Sequence, residues 1–362
     1  MNKRTFSLFS QSKLFITFNK KTVLNTANPP FFNRASQSCY STGPLYTNHN
    51  NAAKTKTTQG VYGSTEVFNE DLCADNIQTV PLAYETHKYS DNSDELHSPL
   101  IVLHGLFGSK ASNRTMARKL KETLKRNVYC LDLRNHGDSP HISRHDYPAM
   151  AADVERWIHD FGKSTFKKNK PIIVGHSMGA KCAMSVVLRK PNLCKMLCVI
   201  DNAPVATMPT IQFPRYVKQL LKIVHDPNVH TNKQCLEILD KVEKNPVVKN
   251  FLMTVLTKYK DPETGLIRYK SKIPLGILND AITKGNISNW EFNSWIHRWN
   301  GPSLFIRGTK SSYCCDEYLV DVGRFFPNFE VFDIEGTHWV NTEKPDECAS
   351  AITNFVERHE DL

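Results

Sequence analysis

The residues Gly175-His176-Ser177-Met178-Gly179 set a hydroxyl between two glycines in the spacing G-x-S-x-G. The pentapeptide has meaning only where a strand enters and a helix leaves it. Both are legible here, since "IIV" precedes it and "AKCAMSVVL" follows. Small residues two before and two after the serine let strand and helix approach closely, and the turn forces strained angles on Ser177. Its hydroxyl is then expected at the carboxyl edge of a parallel sheet, where open α/β sheets place ligands. A helix-capping serine is the lesser alternative.

A serine hydroxyl is a weak nucleophile and needs a base. The chain has 14 histidines, so position must select among them. His338 lies in "DIEGTHWVNTEKP", a loop after the last strand pattern and before the last helix pattern. The chain order nucleophile, acid, histidine puts the base there. The base in turn needs a carboxylate to hold its tautomer. After the strand pattern at 302–308, the position where many serine hydrolases keep that acid holds Ser311, in "IRGTKSSYCCDEY". Asp316 follows, but "DEYLVDVGRFF" reads as a helix start with Asp316 as its cap. One strand earlier, "CVID" ends in Asp201, at the carboxyl end of a strand expected beside the nucleophile strand. Asp201 is the expected acid, Asp316 the alternative, and a turn-capping role for Asp201 the bland reading. An oxyanion hole needs two backbone N–H groups. Met178 supplies one, and Leu106 in "HGLFGS" the other, with Phe107 the next choice. Neither "GLFGSK" nor "GHSMGAK" has the G-x-x-x-x-G-K-[ST] spacing of a phosphate loop.

The elements that would position these groups alternate. Strand patterns at 79–89, 99–105, 127–133, 170–177 and 195–202 are interleaved with helix patterns at 113–125, 146–161 and 179–190. Such alternation implies a mostly parallel sheet covered by helices on both faces. Residues 205–299 break the rhythm with helical patterns such as "FPRYVKQLLKIVHD" and "KNFLMTVLTKYK", which predict a helical cap. The βα pattern returns with strands at 302–308 and 329–334, a helix near 316–325 and a last helix from Pro345. The expected organisation is a core at 78–204 and 300–362 with the cap at 205–299.

The net charge of +10 is not spread evenly. No acidic residue precedes Glu66, and that stretch carries eight basic ones, so the remainder is nearly neutral. A phosphate-binding surface explains such a charge poorly, and no nucleic-acid partner is expected. The acid-free stretch 1–41, rich in Lys, Arg, Ser and Thr, has the composition of an organellar transit peptide. Cleavage is expected between Arg34 and Thr42, with an extension of uncertain order over 42–77; a disordered basic tail is the alternative. No run reaches the roughly 18 apolar residues of a membrane helix. The ten cysteines show no paired CxxC spacing and no Cys-His ligand cluster, so reduced thiols and no metal are expected.

Taken together, "VLHGLFGSKASN", "LDLRNHGDSP", "GHSMGAK" and "IDNAPV" resemble the mitochondrial abhydrolase-domain esterases, most of all the yeast ethanol acetyltransferase group. The resemblance spans about residues 78–358. It implies an α/β-hydrolase fold, acyl-enzyme chemistry on small esters and thioesters, and in some members acetyl transfer from acetyl-CoA to ethanol. It also implies an acid after the strand that follows the nucleophile, which transfers Ser177, Asp201 and His338 as the catalytic set. No cofactor is implied; acetyl-CoA would be a substrate, with ethanol or water as acceptor and the mitochondrial matrix as location. Arg134, Asn135 and His136 match a family loop and are expected to shape it. The alternatives are an esterase or thioesterase without alcohol transfer, and a non-catalytic binding or assembly factor on a hydrolase scaffold.

Overall fold

The computed structural model describes residues 72–360, apart from 92, 167–168 and 208–211. The expected transit peptide and residues 42–71 of the expected extension lie outside the described residues. The described residues form nine strands: β1 (Tyr84–His87), β2 (Leu100–Leu103), β3 (Val128–Leu131), β4 (Ile172–His176), β5 (Met196–Ile200), β6 (Leu256–Lys260), β7 (Ile267–Ser271), β8 (Ser303–Gly308) and β9 (Phe329–Ile334). Seven form one sheet in the order β1-β3-β2-β4-β5-β8-β9, with β1 antiparallel to β3 and every other pair parallel.

The apolar runs of β2 to β5 are buried along their whole length, as strands covered on both faces must be. Alternate side chains feed opposite layers. Ile101, Leu103, Ile173, Leu197 and Val199 pack toward the helices Tyr147–Thr165 and Met178–Arg189. Leu100, Val102, Ile172, Val174, Met196 and Cys198 pack toward the helices Arg114–Leu124 and Pro345–His359. Cys130, Cys182, Cys194 and Cys198 are free thiols inside this core, and burial raises the pKa of each. Among the described residues no helix is long and apolar enough to cross a membrane.

The sheet differs from the expectation at its first edge. Of the strand predicted over 79–89, only Tyr84–His87 pairs. The preceding backbone finds side chains instead: Val80 N–H donates to Asp153 Oδ1 (2.7 Å) and Ala83 N–H to Ser139 Oγ (2.9 Å). Residues ahead of these also lie on the body. Arg189 donates to the carbonyls of Leu72 and Ala74, and Ile77 is buried with Ala149 and Ala152.

The insertion between β5 and β8 holds the helices Gln212–His225, Asn232–Leu239, Pro246–Met253 and Leu275–Thr283, plus the antiparallel hairpin β6–β7. The hairpin corrects the reading of "KNFLMTVLTKYK" as one helix. The helix stops at Met253, where the β-branched Thr254, Val255 and Thr257 favour extended backbone. Asp261 then accepts the N–H groups of Glu263 and Thr264 (3.0 and 2.9 Å), and Gly265 takes φ +71°, so the chain reverses. Lys181, buried on the helix after the nucleophile turn, ties both ends of the insertion to the core. Its Nζ donates to Thr207 Oγ1 (3.0 Å) and to the Ser288 carbonyl (3.4 Å).

Candidate active site

β4 ends at His176, and the next residue turns the chain into a helix. Ser177 sits at φ 54°, ψ −118°, a conformation an L-residue holds only when its surroundings force it. Here the surroundings are two close approaches. A Cβ on Gly175 would lie 2.2 Å from the Gly179 carbonyl oxygen, and one on Gly179 would lie 2.5 Å from the His104 carbonyl oxygen. No side chain fits at either place. The Ser177 N–H donates to the Ile200 carbonyl (3.0 Å), which pins the turn to the end of β5.

The structure brings Ser177, His338 and Asp201 together. Ser177 Oγ lies 2.8 Å from His338 Nε2, and His338 Nδ1 lies 2.7 Å from Asp201 Oδ2. With a carboxylate on Nδ1, the ring carries its proton there and offers Nε2 as acceptor to the serine hydroxyl. Asp201 follows β5 directly, at φ 52°, with its side chain wholly buried. Its Oδ1 accepts the Gly308 N–H (2.9 Å), and its Oδ2 accepts the Ser311 hydroxyl (2.5 Å). The alternative acid is elsewhere. Asp316 is 84% exposed and pairs with Arg307 Nη1 (2.6 Å). Nor does it cap a helix: Cys315 holds that position, and Asp316 begins a 3₁₀ turn.

Three further side chains hold the histidine, and sequence reasoning passed over all of them. His176 Nε2–H donates to the His338 carbonyl (2.8 Å), and burial holds this imidazole neutral, with its pKa lowered to about 3. Glu343 accepts both the N–H and the hydroxyl of Thr337 (2.9 and 2.7 Å). Tyr313 stacks on the His338 ring, with centroids 3.9 Å apart. Only His176 carried a signal, as a residue inside the motif, and nothing in its type set it apart from the other histidines.

The opposite wall is the loop after β2. The Phe107 N–H is committed to His136 Nε2 (3.2 Å), which removes it as an oxyanion donor. Leu106 remains, lining the same cavity as Ser177 and His338. Met178 is the first residue of its helix, where N–H groups lack intrahelical partners and the dipole favours negative charge. Behind the loop, His136 Nδ1–H donates to the Arg134 carbonyl (3.0 Å), while His104 accepts the Leu133 N–H (3.0 Å) and donates to the Gly105 carbonyl (2.8 Å). Burial lowers the pKa of both rings. Arg134 pairs with Asp153 through two hydrogen bonds of 2.6 and 2.8 Å. The segment 134–136 therefore braces the loop after β2 from behind through His136, a contact beyond the shaping of its own loop that was expected of it.

The cavity between these walls is also lined by Phe213 and Phe251 from the insertion and by Trp339. Its volume is about 10 Å³, room for roughly one water molecule.

This fold and this site define a class, and the chain belongs to it: residues 98–345 match the family model of the alpha/beta hydrolase fold. Among its relatives, a probable alcohol acetyltransferase of Saccharomyces cerevisiae is 48% identical over 82% of this chain and 91% of its own length. The sn-1-specific diacylglycerol lipase ABHD11 of Xenopus laevis is 33% identical over 77% of this chain and 85% of its own. Ethanol acetyltransferase 1 of Cyberlindnera jadinii is 30% identical over 78% and 88%. Among solved structures, a marine microorganism esterase superposes with a TM-score of 0.66 at 27% identity, covering 76% of this chain and all of its own.

Proposed function

We propose that the chain is an acyltransferase and acyl hydrolase that works through an acyl-enzyme on Ser177, taking small acyl groups from esters or thioesters. Acetyl-CoA is the proposed donor, and ethanol and water are the competing acceptors. The observation that carries this is the unbroken chain from Ser177 Oγ through His338 to the buried Asp201, at 2.8 and 2.7 Å. The names of the relatives, which include alcohol and ethanol acetyltransferases, support the choice of donor and acceptor.

In the proposed mechanism Ser177 Oγ attacks the acyl carbonyl carbon while its proton passes to His338 Nε2. Asp201 holds Nδ1–H and stabilises the imidazolium. The N–H groups of Leu106 and Met178 receive the oxyanion, with no reorganisation needed when charge develops. The C–S or C–O bond breaks, His338 protonates the leaving thiol or alcohol, and the acyl-enzyme remains. An acceptor then attacks the acyl carbon, gives its proton to His338, and the Ser177 Oγ–C bond breaks as Ser177 recovers that proton. No cofactor enters these steps.

We assign the protein to the mitochondrial matrix. The reading rests on the acid-free, Lys/Arg-rich stretch at 1–41, and a fusion lacking those residues should stay outside mitochondria. The enzymatic reading is tested with purified protein given acetyl-CoA, with and without ethanol, and assayed for free thiol, acetate and ethyl acetate. Ser177→Ala should abolish thiol release and fluorophosphonate labelling together. An inert scaffold would leave the wild type unlabelled.

A further inference from the structure

We propose that Tyr313 stabilises the transient positive charge on His338, its ring face standing in for water on one side of the imidazolium. The proposal rests on the acyl-enzyme reading above and names a further residue that serves it.

His338 becomes a cation twice in each turnover. It first takes the Ser177 proton while Oγ bonds to the acyl carbon, and releases it to the departing thiol or alcohol. It then takes the acceptor's proton and returns it to Ser177 as the Oγ–C bond breaks. In the plane of the ring both nitrogens are engaged: Nδ1–H meets Asp201 Oδ2 at 2.7 Å, and Nε2 meets Ser177 Oγ at 2.8 Å. The positive charge is delocalised over the whole ring, so its faces also need a favourable environment. The side chain is 12% exposed, and water supplies little of it.

Tyr313 covers one of those faces. The two rings stack with centroids 3.9 Å apart and planes inclined by 22°. That separation is van der Waals contact and leaves no room for water between them. A tyrosine face carries the negative side of the ring quadrupole. A cation over that face is attracted to it, most strongly where both are withdrawn from water. Two other rings approach His338 less closely: His176 at 5.3 Å, tilted by 37°, and Trp339 at 6.0 Å, inclined by 69°. Neutral imidazole gains less from the same stack, so the contact favours the charged form that arises only during the reaction.

The loop after β8 holds the tyrosine in place. Tyr313 N–H donates to Ser311 Oγ (3.2 Å), and the Ser311 hydroxyl donates to Asp201 Oδ2. One short segment therefore supports the carboxylate with a hydroxyl and covers the base with a ring. Tyr313 acts through His338 rather than on the substrate. A ring that merely packed on the histidine would make the same contact, so the test must change its charge distribution at constant shape.

Hydrolysis of an acetyl ester is measured on purified protein with mono-, tri- and pentafluorinated phenylalanine placed at position 313, beside Tyr313→Phe and Tyr313→Leu. Fluorine withdraws electron density from the ring face and scarcely changes its size. Tyr313→Phe keeps the face and should hold kcat within about twofold, while Tyr313→Leu should lower it about threefold to thirtyfold. Across the fluorinated series kcat should fall stepwise, with KM and the urea midpoint of the phenylalanine variant retained. Both half-reactions pass through the imidazolium, so the expectation is the same whichever limits kcat. If the leucine variant folds poorly, the fluorinated series decides by itself. A flat series, or a fall in Tyr313→Phe as deep as in Tyr313→Leu, overturns the proposal and leaves the ring as packing alone. A wild type that neither hydrolyses the ester nor takes a fluorophosphonate overturns the acyl-enzyme reading, and this proposal with it.

Discussion

Ser311 Oγ donates to Oδ2 of Asp201 across 2.5 Å, so the loop position where many serine hydrolases keep their acid holds a hydroxyl aimed at the acid that replaces it. Two neighbouring strand ends, after β5 and after β8, thus converge on one imidazole. The carboxylate comes from the first and a supporting donor from the second. Asp201→Asn should lower kcat by about 10⁴ through loss of the correct tautomer. Adding Ser311→Asp to that variant puts a carboxylate back from the other strand, and should recover at least about tenfold. Asp316→Asn should leave ester hydrolysis near the wild-type rate. Steady-state hydrolysis of an acetyl ester checks all three, and equal damage from the substitutions at 201 and 316 would move the acid.

The strained nucleophile turn makes a stability prediction. With 2.5 Å between a new Cβ and the His104 carbonyl oxygen, Gly179→Ala must push the helix Met178–Arg189 away from the end of β2. A cost of about 3 kcal/mol is expected, at the upper end for overpacking. Urea unfolding monitored by circular dichroism measures it. A midpoint equal to the wild type would mean that the strand and helix tolerate separation.

Buried histidines set the response to acid. Burial holds His136 well below its ordinary pKa and lowers His145 and His176 to about 3. A base whose folded pKa lies below its unfolded value of about 6.5 contributes stability above 6.5 that is lost as pH falls toward the folded pKa. From pH 7.5 to 5.5 His145 and His176 should each cost about 1.4 kcal/mol, and His136 acts in the same direction. Asp94 and Asp153, whose pKa values burial raises, act in the opposite direction. The sharper readout is therefore a difference: in His145→Gln the pH-dependent loss should shrink by about 1.4 kcal/mol. Urea titrations of both proteins at the two pH values decide it, and parallel losses would contradict a neutral, buried His145.

Cavity size predicts acyl selectivity. Phe251 packs on Trp339 with ring centroids 4.8 Å apart and lines the space beside Ser177. Phe251→Ala should admit two more methylenes, raising kcat/KM for a butyryl ester relative to an acetyl ester by about tenfold, from roughly 0.8 kcal/mol per buried CH₂. A ratio of rates that stays at the wild-type value would place the acyl group away from Phe251.

Several parts of this molecule were legible before any coordinate. The apolar runs of β2 to β5, the glycines around Ser177 and the Gly-containing loop at His338 announced themselves, because each is a local requirement written in adjacent residues. The cap hairpin was misread for the same reason in reverse. "KNFLMTVLTKYK" satisfies a helical spacing locally, and only the turn at Asp261–Gly265, with the pairing partner beyond it, makes extended backbone the better solution. Tyr313 and Glu343 carried no local mark, since their roles consist of contacts with residues placed by the fold.

By itself, then, the chain's order of residues determined the parallel sheet, the sharp turn at Ser177 and the choice of His338, all of which follow from periodicity, steric size and connectivity. Tertiary structure placed Asp201 rather than Asp316 against His338, committed the Phe107 N–H to His136, and lined the cavity with Phe213 and Phe251. Those outcomes depend on distances of a few ångströms between strand ends far apart in the chain. Hydrogen bonds and burial fall off over that same distance, and no spacing along a sequence encodes it.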